Sequence, residues 1–214
     1  MKIEKFEGNE GFYSKRRQAL SDLMAFRQQR NGRACPGCDL RCPECGSASC
    51  LCNCGPDCEQ APLMMSSDPE KFPIEDGIVP MVYAIYDMEI GLPCWSCEGH
   101  EGLDGKIGKL PQVWFYVLHQ AYPDLLAKFL WQLQFSGHVQ NQWNVTVVSA
   151  DNTTDTTFAI VPDTGGGTLD LENLRQDIKV IGERMYDDIV VLARENIGEI
   201  DNLLTTKATN GKQK

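Results

Sequence analysis

The fold is decided by the stretch QVWFYVL at residues 112–118, in which every residue after the first is β-branched, aromatic or aliphatic. Such residues favour the pleated surface of a β-sheet. We therefore predict a buried strand here. The segments on either side must supply its neighbouring strands and the helices that cover it.

Downstream of this strand the pattern predicts one helix, two strands and a second helix. Pro123 and Asp124 open the first helix and Gly137 closes it. Strands follow at residues 143–149 and 156–161, joined by a polar turn as in a β-hairpin. The last helix is long and amphipathic, with apolar residues at intervals of three or four: Leu171, Leu174, Ile178, Ile181, Met185, Ile189 and Leu192.

Upstream of the strand the pattern predicts two helices. The first covers residues 13–31, where Asn31 and Gly32 supply a stop. The second has Pro80 in its first turn and Gly91 at its end. Its apolar residues fall on one face, namely Ile78, Met81, Val82, Ile85 and Met88.

These elements predict an α+β protein, in which a small sheet of three or more strands is packed with helices beside an irregular, metal-stabilised cysteine-rich module. A chain of 214 residues with 42% hydrophobic content is long enough for one core and one small module. We divide it into an N-terminal amphipathic helix (1–33), the cysteine-rich module (34–62), a linker (63–76), the α+β domain (77–204) and a disordered tail (205–214).

Charge and hydropathy limit the partners and the location. The net charge of −10 disfavours general nucleic-acid binding, which needs Lys and Arg. Residues 1–34 have a net charge of +4, however. The N-terminal helix therefore presents either a basic stripe or an ordinary solvated face. Its basic residues are Lys15, Arg16, Arg17, Arg27, Arg30 and Arg33. No apolar run approaches the ~20 residues that cross a bilayer, and the first ten residues lack a signal-peptide core. We expect a cytoplasmic protein without a membrane span.

The ten cysteines then point to metal binding or redox chemistry, because disulfides are rare in a reducing compartment. The cysteine-rich module has almost no other apolar residue, so metal must take the place of a core. Its first four cysteines form two CxxC pairs, Cys35/Cys38 and Cys42/Cys45. Two such turns can aim four thiolates at one zinc ion in a tetrahedral site.

The other four cysteines of the module are Cys50, Cys52, Cys54 and Cys58. Alternate residues of an extended chain lie ~6.6 Å apart. Sulfur ligands of one zinc ion lie only ~3.8 Å apart, so the backbone must bend or thiolates must bridge. This CxC spacing resembles that of metallothioneins, over these few residues alone. The eight cysteines therefore form either two four-thiolate sites or one bridged cluster.

Zinc is the metal that this pattern favours, and an iron–sulfur cluster is the alternative. Cys38, Cys42 and Cys45 are similar in spacing to the cluster ligands of radical enzymes that use S-adenosylmethionine, but the sequence has nothing like the large barrel of those enzymes. The ferredoxin pattern CxxCxxCxxxCP is absent. Disulfides are the third interpretation.

A second candidate site lies in the stretch PCWSCEGH at residues 93–100. Cys94, Cys97 and His100 repeat at a spacing of three, which allows one turn of chain to present three metal ligands. The fourth position would hold a water or take a cysteine from the first cluster. With a bound water, Glu98 and His100 are the catalytic candidates, and Glu101 is another nearby proton acceptor.

The same stretch has simpler interpretations. Cys94 and Cys97 can be small buried apolar residues while His100 caps a loop. Thiol redox chemistry at the CxxC pair is a further alternative.

Two hypotheses of function follow from these patterns. The first is a zinc-stabilised cytoplasmic protein that binds a protein partner through its metal module and basic helix. The second is an enzyme that uses the Cys94–Cys97–His100 loop, either as a metal-dependent hydrolase or in thiol or iron–sulfur redox chemistry. The sequence identifies neither the partner nor the oligomeric state.

Overall fold

The computed structural model describes residues 9–29, 70–88, 91–149, 156–165 and 168–210. The predicted cysteine-rich module at residues 34–62 lies outside this part of the chain. Its eight candidate ligands, Cys35, Cys38, Cys42, Cys45, Cys50, Cys52, Cys54 and Cys58, lie outside it too.

The described residues form α-helices around an antiparallel sheet, which is the predicted α+β class. The helices are α1 (Glu10–Gln29), α2 (Val79–Asp87), α3 (Ala121–Phe135) and α4 (Leu171–Asn210), and a 3₁₀ turn at Asp76–Ile78 precedes α2. The strands are β1 (Gly91–Cys97), β2 (His100–Glu101), β3 (Ile107–Lys109), β4 (Gln112–Val117), β5 (Trp143–Ser149) and β6 (Thr157–Pro162). In this part of the chain no helix is both long and apolar enough to cross a membrane.

The main sheet has the strand order β1-β4-β6-β5, and all its neighbouring strands are antiparallel. The strand predicted from QVWFYVL is β4, which lies inside the sheet between β1 and β6. The predicted hairpin is β5–β6. A separate two-stranded sheet pairs β2 with β3.

The helices pack against one face of the main sheet, which we call the inner face. Val113, Phe115, Phe158 and Ile160 lie on it and belong to one hydrophobic core with residues from all four helices. The predicted periodicity of α4 is confirmed, because its apolar residues from Leu174 to Leu192 line this core. The helix continues to Asn210, so the stretch at 205–214 that we assigned to a tail begins inside α4.

The prediction that Gly91 ends the second helix is wrong. That helix ends at Asp87 with Met88 as its C-cap, and Gly91 is the first residue of β1. Gly91 pairs with Val117 at the far end of β4. Pairing with a strand more than twenty residues away overrides the local glycine signal. The residues that follow Gly91 form the edge strand of the sheet.

Helix α1 is part of the same core. Its Leu20 and Leu23 are buried there. Two of its basic residues pair with acids of other helices: Arg16 with Asp124 at 2.7 Å, and Arg17 with Asp201 at 2.7 Å. These two basic residues of the N-terminal helix therefore tie α1 to α3 and α4.

A close approach joins α2 to α4 at Gly182. A Cβ atom placed on this glycine would lie 2.8 Å from the backbone and side chain of Pro80. Real Cβ atoms do not approach other atoms this closely, so the packing of the two helices requires glycine at this position.

A buried carboxylate on α4 holds the turn before β5. Asp177 is 1% exposed. Its oxygens accept hydrogen bonds from the backbone N–H groups of Gln140 (2.8 Å) and Asn141 (3.0 Å), from the Asn141 side chain (2.9 Å) and from the Trp143 indole (3.1 Å). Four donors satisfy this carboxylate, as a buried charge requires.

Candidate metal centre

Three side chains that can bind a metal meet at one end of β1. Glu75, Cys97 and His100 each offer one ligand atom, and these atoms all lie within 4.8 Å of one another. His100 Nε2 lies 2.7 Å from Oε1 of Glu75. A thiol, an imidazole and a carboxylate therefore face a common point.

The chain around Gly99 brings Cys97 and His100 together. Cys97 ends β1 and pairs with Gln112 of β4, while His100 begins β2. Between them Gly99 has a φ of +86°, in the region that favours glycine. A Cβ there would also lie 2.8 Å from Leu171 and Pro111. The sharp turn at this glycine lets the two ligands approach each other.

The third ligand, Glu75, comes from a distant part of the chain. It lies directly before the 3₁₀ turn at Asp76–Ile78, inside the stretch that we predicted to be a linker. Its Oε2 accepts a hydrogen bond of 2.7 Å from the backbone N–H of Glu98. No motif or spacing in the sequence indicates Glu75, because its proximity to Cys97 arises only when α2 packs beside β1.

A second carboxylate supports this arrangement. Glu98 accepts hydrogen bonds from the backbone N–H of Gly77 at 2.8 Å and from the Arg175 guanidinium at 3.2 Å. Arg175 also donates to the carbonyl oxygen of Gly99 at 3.4 Å. Glu98, which the sequence made a catalytic candidate, thus binds both the backbone at Gly77, close to Glu75, and Arg175 of helix α4.

Burial governs the protonation of the two cysteines here. It raises the pKa of the Cys97 thiol, which is only 4% exposed, and the negative charge of Glu75 raises this pKa further, against a lowering by the Gly99 N–H. Partial burial also raises the pKa of Cys94, although the residue as a whole is exposed. Without a metal both thiols therefore keep their protons at neutral pH, which disfavours thiolate chemistry.

Cys94 lies apart from the group formed by the other two predicted ligands. It is exposed, at the bulge where the register of β1 shifts between Pro93 and Trp95. In the part of the chain that the structure describes, the group of side chains that could hold a metal consists of Glu75, Cys97 and His100 and does not include Cys94. Of the three predicted ligands, the structure therefore brings Cys97 and His100 together, and Glu75 rather than Cys94 joins them.

The separations in this group can be compared with those of a tetrahedral zinc site. With Zn–S of ~2.3 Å and Zn–N or Zn–O of ~2.0–2.2 Å, neighbouring ligand atoms of a tetrahedral site lie ~3.3–3.8 Å apart. The longest separation here is below 4.8 Å. The Glu75–His100 contact of 2.7 Å must widen by ~0.6 Å to admit the ion between the two side chains.

Comparison of the chain with protein-family models, with curated proteins and with solved structures finds no significant match. The function must therefore be argued from the chemistry of this group and from the sequence pattern.

Proposed function

We propose that this protein binds zinc at a centre formed by Glu75, Cys97 and His100. The observation that supports the proposal most directly is the convergence of these three side chains within 4.8 Å. Cysteine, histidine and carboxylate are the ligands that zinc takes in proteins, and three of them leave one tetrahedral position for a water or a further ligand.

The role that we propose for this ion is structural. Glu75 lies near the end of the predicted linker (63–76), whereas Cys97 and His100 belong to β1 and β2. An ion bound by all three would fasten the end of the linker to the edge strand of the main sheet. It would do so beside the network of Glu98 and Arg175, which already holds the same segments.

The cysteine-rich module is the second metal site of this proposal, and it rests on the sequence. Two CxxC pairs and four further cysteines, in a stretch with almost no other apolar residue, favour zinc bound by thiolates, with an iron–sulfur cluster as the alternative. A metal-folded module attached to an α+β domain suits a protein that binds a partner. A cytoplasmic location, which the sequence favours, would keep these cysteines available as thiols.

Zinc stoichiometry with matched variants tests the centre. We would purify the full chain anaerobically, remove loosely bound metal and measure zinc and iron by elemental analysis. Cys97→Ser and His100→Ala should each hold one zinc ion fewer than the wild type. Cys94→Ser and His138→Ala replace the same residue types outside the group and should hold the wild-type number.

The magnitude of the affinity change follows from the number of ligands. If ~10–16 kcal/mol of zinc binding is shared among four ligands, each contributes ~3 kcal/mol, or roughly a 100-fold change in Kd. His100 is 45% exposed in its side chain, so His100→Ala separates loss of a ligand from loss of folding. Equal zinc contents for the wild type, Cys97→Ser and His100→Ala would contradict the proposal that these residues bind zinc.

One observation favours the enzymatic alternative as a second candidate. The side chains of His100 and Glu75 are partly exposed, so solvent reaches the fourth position, as it does in zinc hydrolases. Substitution of cobalt for zinc would distinguish the two roles, because its visible spectrum depends on the ligands. A spectrum that changes when a small anion such as azide replaces a bound water would favour hydrolytic chemistry, and a spectrum insensitive to azide would favour the structural role.

A further inference from the structure

Lys109 lies beside the candidate metal centre, directly across the small hairpin from one of its ligands. In the two-stranded sheet, Lys109 of β3 pairs with His100 of β2. Residues paired in this way in an antiparallel sheet carry their side chains on the same face, with Cβ atoms about 4.5–5.5 Å apart. The flexible four-carbon stem of the lysine can therefore bring its ammonium group to a ligand bound next to His100.

The charge of Lys109 also acts on a second ligand, Cys97. Burial raises the pKa of the Cys97 thiol, and the positive charge of Lys109 opposes this rise. In the part of the chain that the structure describes, no carboxylate forms an ion pair with Lys109. Lys106 of the same hairpin, by contrast, lies 3.9 Å from Asp104. Among the described residues, the ammonium group of Lys109 is therefore left to interact with a bound anion.

The fourth position of a zinc ion at this centre would face solvent. Cys97 is 4% exposed, whereas the side chains of Glu75 and His100 are 36% and 45% exposed. The buried ligand would thus lie behind the ion, and the two partly exposed ligands would flank it. Lys109 is exposed and pairs with His100. A ligand that enters from solvent would therefore meet the ion and the Lys109 ammonium together.

The charges of the centre favour a monoanion as this ligand. When they bind zinc, Glu75 and Cys97 are both anionic and cancel the charge of the ion, while the histidine ligand is neutral. Lys109 then supplies a positive charge that none of the three ligands balances. Two further carboxylates, Asp76 and Glu101, are the chain neighbours of two of the ligands. They would repel a multiply charged anion such as phosphate more strongly than a monoanion.

From this arrangement we infer that the zinc centre binds the carboxylate of a small organic acid at its fourth position. One carboxylate oxygen binds the ion, as carboxylates do in zinc proteins, and the other accepts a charge-assisted hydrogen bond from Lys109. The inference rests on the zinc centre proposed above and adds a ligand to it. An ion that fastens two segments of the chain can also hold this ligand, since Glu75, Cys97 and His100 leave one tetrahedral position.

Titration of the cobalt-loaded full chain with acetate tests this inference. Cobalt bound by the cysteine-rich module would also absorb light, so the signal is the change in the visible spectrum when acetate is added at constant ionic strength. Cys97→Ser serves as the blank. Acetate has only four non-hydrogen atoms, so we expect the wild type to bind it with a Kd in the millimolar range. Acetamide, its neutral analogue, should cause no change.

Variants of the hairpin test the part played by Lys109. Lys109→Met should raise the Kd for acetate about five- to tenfold, because it removes a hydrogen bond between charged groups. Lys109→Arg keeps the charge and should bind acetate nearly as tightly as the wild type. The matched control is Lys106→Met, which removes the same charge from the same hairpin and should leave the Kd unchanged.

The outcomes separate this inference from the zinc centre itself. Equal cobalt contents in the wild type, Cys97→Ser and His100→Ala would overturn both. If these variants lose cobalt but the wild-type spectrum is insensitive to acetate up to about 100 mM, the centre stands and the carboxylate ligand is overturned. Equal acetate affinities of Lys109→Met and Lys106→Met, or tighter binding of phosphate than of acetate, would overturn the inference as well.

Discussion

Removal of the buried carboxylate of Asp177 should be among the most destabilising single changes in this protein. In Asp177→Ala the four donors that now bind the carboxylate lose their acceptor. They are the N–H groups of Gln140 and Asn141, the Asn141 side chain and the Trp143 indole. The change also removes the link between α4 and the turn before β5.

The magnitude follows from how well water can replace each lost acceptor. The Trp143 bond is buried, and an unsatisfied buried donor costs about 1–3 kcal/mol. The other three bonds are only partly buried, so water restores part of their energy and we assign about 1 kcal/mol or less to each. The expected loss is therefore about 4 kcal/mol, a large fraction of the ~5–15 kcal/mol that stabilises a typical domain.

Urea unfolding followed by circular dichroism measures this loss. With an m-value of about 2–3 kcal/mol/M, the midpoint should fall by about 1.5 M. Asp124→Ala is the control, because it removes a largely exposed partner of Arg16 and should change the free energy of unfolding by less than about 1 kcal/mol. If Asp177→Ala loses no more than this control, the buried network does not carry the stability that we assign to it.

Two further predictions concern the packing of α4 and the support of the metal centre. Gly182→Ala should lower the free energy of unfolding by about 2 kcal/mol because the new methyl group meets α2. Gly198→Ala, which has open space around it, should raise the free energy of unfolding by about 0.5–1 kcal/mol. Thermal melts measure both changes, and stability changes of the same sign in the two variants would contradict the close packing at Gly182. Arg175→Met removes a partner of Glu98 and should weaken zinc binding about tenfold without changing the stoichiometry. Arg184→Met removes a partly exposed helical ion pair away from the site and should leave the zinc affinity unchanged. Competition with a chelator measures both affinities, and equal values for the two variants would refute the supporting role of Arg175.

Most helices and strands were predictable because their signals are local. The spacing of apolar residues in α4 reflects 3.6 residues per turn, and the aromatic and β-branched residues of β4 suit a pleated sheet. Those signals needed no knowledge of the neighbouring segments. Strand β1 was missed because Pro93 and Gly91 resemble loop residues, and because its strand conformation depends on pairing with β4.

In the candidate site, too, the residues with a local signal were predicted and the one without such a signal was not. Cys97 and His100 were predicted from their spacing, and the turn at Gly99 brings them together. Cys94 was predicted with them, but the bulge in β1 leaves it outside the group. Glu75 was not predicted, since a carboxylate in a polar segment has no local feature that distinguishes it from a solvated one.

The sequence by itself determined the α+β class, the helices, the central strand and the strong expectation of metal binding by the cysteines, because each follows from residue type and short-range spacing. Only the tertiary structure decided the strand order, the position of β1 and the presence of Glu75 rather than Cys94 in the group. These features depend on which distant segments pack together, and packing is determined by the shapes of whole faces rather than by any short motif.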